Sequence, residues 1–398
     1  MTVEARDSAP PAKPPIWNDP RYRALFFQAL VLGGVLLAGW ALVNNTLNNM
    51  ESRGIASGFG FLNKTSGFSI NMHLINYAEE NTYGRVFVVG LINTILVSVV
   101  GIFFATILGF IIGIARLSSN WLVSRLAAAY IEVLRNIPLL LQIFFWYFAL
   151  LRSDLIPSVR NSRGLFDAFF LNIRGLFVPR PVFEAGFSAV FITFLITLVG
   201  VIIMVRWARR RQERSGEQFH SVYASLGLLI GLPLIVAALA GFPLSWDLPV
   251  LKGFNFVGGV QLVPEFVALV FALSLYTAAF IAEVVRSGIM AVNKGQTEAA
   301  LSVGLTTGQT LRLVVLPQAL RVIIPPLTNQ YLNLTKNSSL AAAIAYPDLV
   351  LVFAGTALMQ TGQAVEIIAI TMAVYLTLSL VISLTMGFFN RRFAIVDR

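Results

Sequence analysis

VNKGQTEAALSVGLTTGQTLRLVVLPQALR, residues 292–321, is a stretch rich in small and polar residues that lies between two strongly apolar segments. Thr297 or a neighbour can cap a first short helix, and Gly304 suits the left-handed end of that helix. Thr306 or Thr307 can cap a second helix. The side chains form no catalytic arrangement, so the stretch is predicted to be two short helices that dock against another protein.

The composition around this stretch is that of a protein surrounded by lipid. Of the 398 residues, 57% are hydrophobic and only 12% are charged, whereas a soluble domain carries about a quarter charged residues. A chain this poor in charge cannot cover a water-facing surface, which excludes a soluble globular protein. The net charge of +10 comes largely from basic residues at the ends of apolar runs, a distribution that sets membrane orientation and does not indicate nucleic-acid binding.

The apolar runs predict an all-α, polytopic membrane protein, because a run of about 20 apolar residues can cross a bilayer. Residues 1–23 form a polar, proline-rich tail, residues 24–86 hold a first helix with an outer loop, and residues 389–398 form a second tail. No small-residue cleavage site clearly follows the first run, so this helix is expected to be retained. The eight candidate spans are roughly 24–43, 87–115, 127–150, 185–205, 222–241, 263–286, 319–345 and 366–388.

The distribution of basic residues predicts that both termini are cytoplasmic. With the N-terminus inside, 18 basic residues fall in the inner segments and 9 in the outer loops, as the positive-inside rule requires. The 151–184 loop goes against the rule with its five arginines, but long outer loops are translocated with less regard to charge.

The seventh predicted span is unusually polar. Residues 319–345 contain threonine, asparagine, glutamine, serine and Lys336, and each unpaired polar group in hydrocarbon costs several kcal/mol. This span must therefore face other helices or a water-filled path. Pro317 is expected to interrupt the preceding short helix, and Pro325 with Pro326 permits a kink.

The motifs of two segments resemble a known family. Glu298-Ala299-Ala300, then Gly304, then Leu316-Pro317 match the E-A-A loop of permeases of binding-protein-dependent ABC importers. YIEVLRNIPLLLQIFFWYF, residues 130–148, resembles a helix of the branch that carries polar amino acids and opines. Within that branch the chain is similar to the larger permeases of general L-amino-acid importers. The resemblance covers about 87–151 and 263–390.

This resemblance implies a type I permease domain over 87–388, with five core helices and about three additional transmembrane helices in the chain as a whole. Residues 152–262 would be an insertion carrying two of the additional helices, and residues 292–317 the cytoplasmic coupling loop. The coupling surface, which would enter a cleft of the ATPase subunit, would consist of Glu298, Ala299, Ala300, Gly304, Leu316 and Pro317.

The resemblance also implies partners in the bacterial inner membrane and on both sides of it. These are two copies of an ABC ATPase, a second homologous permease and a periplasmic solute-binding protein that delivers an amino acid. The sequence has no G-x-x-x-x-G-K-[ST] phosphate loop, so ATP and Mg²⁺ are expected on the ATPase and no cofactor on this chain, which is not itself an enzyme. With two distant histidines and no cysteine, no metal site is expected.

Ionisable residues inside predicted spans are costly and often functional. Glu132 and Arg135 share a helix face and are expected to form an ion pair. The candidate substrate path consists of Lys336, Asn337, Ser338 and Ser339, which offer donors for a substrate carboxylate. Alternatively, Lys336 snorkels to an interface or pairs with a partner subunit.

An ion-coupled secondary amino-acid transporter is the alternative function. It would need inverted repeats with broken helices at matching positions, and the sequence shows no convincing internal repeat. A membrane enzyme would need paired histidines or a nucleophile with its base, and the sequence contains neither.

Overall fold

The structure is a computed structural model that describes residues 20–52, 54, 57–152, 156–162, 164–217 and 219–393. In this part of the chain, seven helices are long and apolar enough to cross a membrane, or eight if one bent pair counts as a span. The chain is therefore a multi-pass helical membrane protein, as predicted. The spans are α1 (Pro20–Ser52), α2 (Tyr83–Arg116), the bent pair α3 (Trp121–Asn136) and α4 (Leu139–Arg152), α5 (Phe187–Ser215), α6 (Ser221–Leu239), α7 (Pro264–Met290), the continuous helical segment Thr307–Ile344 and α12 (Ala364–Phe393).

Both predicted tails lie partly outside the described residues. Of the tail at 1–23, residues 1–19 are not described, and residues 20–23 belong to α1. Of the tail at 389–398, residues 394–398 are not described, and residues 389–393 belong to α12.

The span predicted at 127–150 is broken by a sharp bend. The axes of α3 and α4 differ by 106°. Ile137 takes an extended conformation (φ −94°, ψ 128°), which the following Pro138 favours on steric grounds. The bend frees main-chain carbonyls, and the buried Gln142 side chain donates to two of them, at Leu134 (2.8 Å) and Ile137 (2.9 Å). In the sequence, Pro138 predicts a kink within this span, and the structure shows a much sharper bend there.

The core is centred on α7, which packs most extensively against α2. Glycines on α2 permit this close approach, because a Cβ on Gly109 would lie 2.5 Å from Ile281 Cγ2. Small residues also form much of the α7 surface, including the buried Ala268, Ala272, Ala278, Ala279 and Ala282. The G-x-x-x-G spacing of Gly109 and Gly113 thus marks a helix interface.

The loop after α1 covers one end of the core. It contains a short 3₁₀ turn, Phe59–Asn63, and a bridge between Thr65 and Thr82. The buried Asn93 of α2 donates to the carbonyls of Met72 (2.9 Å) and Pro347 (2.8 Å). One amide therefore joins the loop, α2 and the segment before a short helical arm. This arm consists of a π-helical run, Val350–Ala357, and α11 (Leu358–Thr361).

The predicted insertion at 152–262 contains β-structure in addition to the two expected helices. The strands precede α5 or follow α6, and they form a four-stranded antiparallel sheet, ordered β1-β2-β3-β8, a two-stranded sheet, β4-β5, and a hairpin, β6-β7. These strands are only two to four residues long, too short for a clear alternating pattern in the sequence. In addition, β3 pairs with β8, although α5 and α6 lie between them in the chain. The strands are β1 (Gly164–Leu165), β2 (Phe169–Asn172), β3 (Gly175–Val178), β4 (Arg180–Phe183), β5 (Leu244–Asp247), β6 (Val250–Lys252), β7 (Asn255–Val257) and β8 (Val260–Leu262).

Candidate functional site

The loop between α7 and the polar span folds into the two predicted short helices. The first is α8 (Lys294–Ser302), and its cap is Asn293, not Thr297: the Asn293 side-chain oxygen accepts from the Gly295 amide at 2.8 Å. At the other end of α8, Gly304 has a φ of +86°, a left-handed conformation that a side chain disfavours. The Leu305 amide, beyond this turn, donates to Ala300 O at 3.2 Å, so Gly304 ends α8 as expected.

The second helix, α9 (Thr307–Thr310), begins with a reciprocal cap. The Thr306 hydroxyl accepts from the Gln309 amide at 3.4 Å, and the Thr306 amide donates to Gln309 Oε1 at 2.9 Å. Such a capping box satisfies two main-chain donors at once. The turn between the helices is thus fixed by residues within the loop itself, without help from a bound partner.

Ala299 and Ala300 of the loop differ in exposure. Glu298 and Ala299 are exposed, whereas Ala300 is 5% exposed and lies on the side of α8 that packs against residues 311–315. The adjacent alanines in the sequence suggest a flat surface for docking, but they do not form one, because neighbours on a helix differ by about 100° in direction. The exposed surface instead combines Glu298 and Ala299 with Val303, which is 78% exposed.

The expected interruption of the second short helix at Pro317 is not found. From Thr307 the chain continues through a π-helical run, Leu311–Val315, into α10 (Leu316–Asn337). The Leu316 amide donates to Leu311 O, five residues back, and a wider turn of this kind accommodates a residue inserted into the ladder. Leu316 is half-buried and Pro317 exposed. The helix also continues through Pro325 and Pro326.

An exposed polar stripe runs along α10. Asn329, Asn333 and Lys336 are all exposed and are spaced four and three residues apart, which places them on one helix face. Amide groups that faced lipid would lack hydrogen-bond partners. This face is therefore expected to contact water or another subunit.

The four residues of the candidate substrate path do not act as one group. Lys336 and Ser339 line a cavity of about 590 Å³. Ser338, by contrast, is buried and donates to Thr335 O at 2.7 Å, and Asn337 is half-buried and is not part of the lining. The Ser339 hydroxyl donates to Lys336 O at 2.7 Å, so its proton is engaged, and Lys336 supplies the cationic donor on the wall.

The expected ion pair between Glu132 and Arg135 is not formed. Both side chains are exposed, and the Arg135 guanidinium lies 5.2 Å from the centre of the Phe280 ring on α7. Among the described residues, the ion pair at this end of the core joins Arg286 to Glu283 through two hydrogen bonds, of 2.5 and 3.0 Å. Three-residue spacing permits both pairs, and only the helix packing decides which one forms.

Comparison with known proteins identifies the family. The family model for the binding-protein-dependent transport system inner membrane component matches residues 101–395. The chain belongs to this family.

Two relatives are similar to this permease over nearly its full length. The putative amino-acid ABC transporter permease protein YhdX of Escherichia coli (strain K12) is 54% identical over 381 residues, 96% of each chain. The general L-amino acid transport system permease protein AapQ of Rhizobium johnstonii (strain DSM 114642 / LMG 32736 / 3841) is 51% identical over 406 residues, 100% of each chain. The match to AapQ therefore includes the 152–262 insertion. A crystal structure of an amino acid ABC transporter with histidines has a TM-score of 0.45 and 22% identity, and the match covers 78% of this chain and 95% of that one.

These findings confirm the family resemblance and give no support to the ion-coupled transporter. The multi-pass permease is a transport component. Its E-A-A loop is typical of the family.

Part of the cavity wall of this permease is formed by residues that were not predicted from the sequence. Thr371, Tyr375 and Ser379 of α12 line the cavity that Lys336 enters. They recur every four residues along a mainly apolar helix, so they occupy one face. That spacing is the signal that could have found them.

The position of Asp348, directly after Pro347, suggests a helix cap, and the structure shows this role. Its side chain accepts from the Leu351 amide at 2.8 Å and so caps the π-helical run after Pro347. Beside it, the Leu349 amide donates to Thr94 Oγ1 at 3.0 Å and the Tyr346 hydroxyl to Asn93 O at 3.2 Å. Buried polar groups thus hold the short helical arm against α2.

Proposed function

We propose that this permease forms one half of the membrane pathway for L-amino acids in an ATP-driven importer. The substrate class is supported by the names of the two full-length relatives, an amino-acid ABC transporter permease and a general L-amino acid transport system permease. The observation that carries the proposal is the self-capped turn between α8 and α9, which presents Glu298 and Ala299 at the end of the polar span.

The coupling step follows from how α8 is attached. Ala300 packs α8 against residues 311–315, and Gln318 Nε2 donates to Gln296 Oε1 at 3.3 Å across the same contact. A displacement of α8 by a partner therefore acts directly on the helix that leads to Lys336. The two ATPase subunits, with ATP and Mg²⁺ bound, would move the loop as they close, and this chain would convert that movement into exposure of the pathway.

The polar stripe on α10 supports a second permease subunit. Its exposed amides need hydrogen-bond partners within the membrane, which a homologous subunit and the enclosed aqueous path would supply together. The distribution of basic residues supports cytoplasmic termini in a bacterial inner membrane. A periplasmic solute-binding protein would then deliver the amino acid to the opposite side.

Gly304→Asp in the assembled transporter tests the coupling loop. The full assembly is purified through this chain and reconstituted in proteoliposomes with binding protein and ATP. We expect the variant to lose stimulated ATP hydrolysis and amino-acid uptake, because a charged side chain would occupy the docking surface.

Gly241→Asp is the matched control for this experiment. Gly241 also follows a helix end, has a φ of +75° and has no other atom within 4 Å of an added Cβ, as is true of Gly304. The backbone strain is therefore the same in both variants, and only the position differs. Equal losses in the two would refute coupling through the loop, as would uptake driven by an ion gradient with no ATPase attached.

A further inference from the structure

The end of α5 that leads into α6 carries a dense cluster of positive charge. Five arginines lie within its last ten residues, against two nearby glutamates, Glu213 and Glu217. The cluster directly follows an apolar run long enough to cross a membrane. It therefore lies at the depth of the lipid headgroups, where Trp207, on the same helix, is also favoured.

Part of this cluster lines an open surface cavity of about 530 Å³. The lining consists of Trp207, Arg210, Arg211, Arg214, Ser215 and Glu217. Arg211 is already neutralised, because it donates to Glu217 Oε2 at 2.6 Å and its guanidinium lies 5.5 Å from the centre of the Trp207 ring. These contacts fix one wall of the cavity.

Arg210 and Arg214 are different, since neither has a carboxylate partner among the described residues. They are one helical turn apart and line the same cavity. Like charges at this spacing repel each other, and an anion between them would remove the repulsion. The planar guanidinium group suits phosphate oxygens, which it can bind through two parallel hydrogen bonds.

We propose that this cavity binds the phosphate headgroup of an anionic phospholipid. A lipid is favoured over free phosphate because the α5–α6 pair packs chiefly on itself and presents apolar side chains such as Ile196 and Ile203 outward. Acyl chains can therefore lie along α5 directly below the headgroup. By the positive-inside rule the lipid comes from the cytoplasmic leaflet, where anionic headgroups attract such basic clusters. The proposal is independent of which solute the permease carries.

The test compares two double variants with the same change in charge. Arg210→Gln with Arg214→Gln alters the cavity, whereas Arg206→Gln with Arg209→Gln removes two arginines of α5 that do not line it. Each assembled transporter is placed in nanodiscs of phosphatidylcholine with phosphatidylglycerol, and the phosphatidylglycerol retained on release is counted by native mass spectrometry. We expect about tenfold weaker retention in the cavity variant and little change in the control, since charge-assisted contacts are lost only in the former.

Several outcomes would overturn the proposal. Equal losses in the two double variants would mean that diffuse charge, not the cavity, holds the lipid, and unchanged retention in both would exclude the site. The unfolding temperature in phosphatidylcholine nanodiscs is also compared after addition of inorganic phosphate and of phosphatidylglycerol. If phosphate raises it as much as the lipid does, the cavity binds free phosphate. Unfolding temperatures of the two variants without anionic lipid establish that both remain folded.

Discussion

Gly113 on α2 faces α7 so closely that even one methyl group has no room. A Cβ at this position would lie 2.7 Å from the Ala282 carbonyl oxygen and 2.8 Å from Val285 Cβ. Neither atom is the end of a flexible side chain, so the two helices must move apart. Gly231 on α6 has the same helical setting, but an added Cβ there would have no other heavy atom within 4 Å.

The comparison of Gly113→Ala with Gly231→Ala isolates this packing effect. Both substitutions replace a glycine inside a helix, which by itself favours folding by about 1 kcal/mol, and that gain cancels in the difference. What remains is the cost of overpacking, about 1–3 kcal/mol. We therefore expect Gly113→Ala to be the less stable of the two by this amount.

The assay is unfolding of the purified assembly in detergent or nanodiscs, followed by intrinsic fluorescence for each variant and the parent. Gly231→Ala is expected to unfold at or slightly above the parental temperature and Gly113→Ala below it. If Gly113→Ala is as stable as Gly231→Ala, α2 and α7 do not approach as described, and the reasoning fails.

Two further changes test the buried polar contacts and the cavity. Thr94→Val preserves the side-chain shape but leaves the buried Leu349 amide without its acceptor, so we expect a loss of about 1–3 kcal/mol in unfolding free energy. The control is Thr377→Val, which removes an exposed hydroxyl. Equal losses in the two variants would contradict this account. Lys336→Met should raise the KM for amino-acid uptake by about ten- to a hundredfold, because it removes one hydrogen bond to a charged group. Lys336→Arg should retain most of the affinity. An unchanged KM in Lys336→Met would place the lysine outside the substrate path.

The sequence predicted the membrane fold and the turn between α8 and α9 because both depend on local chemistry. Runs of apolar residues are long enough to span a bilayer wherever they pack. Gly304 and Thr306 determine the turn through their own backbone and side chain, and the structure has them in these roles. The bend at Pro138 is predictable for the same reason, since a proline acts on the residue just before it.

Features that depend on which helices meet were not predictable in this way. Glu132–Arg135 and Glu283–Arg286 have the same charges at the same spacing, yet only the second pair forms. Asn337 and Ser338 follow Lys336 directly but turn away from its cavity.

The sequence by itself determined that the chain is a helical membrane protein and which loop resembles a coupling element, because hydrophobic length and helix caps act over a few residues. Tertiary structure alone decided which G-x-x-x-G pair lies at a helix interface. Gly109 and Gly113 face α7, whereas Gly227 and Gly231 have open space around them in the described chain. The tertiary structure also decided that β3 pairs with β8, although α5 and α6 lie between these strands in the chain. Contacts between distant segments depend on the shape of both surfaces, and one segment's sequence contains only half of that information.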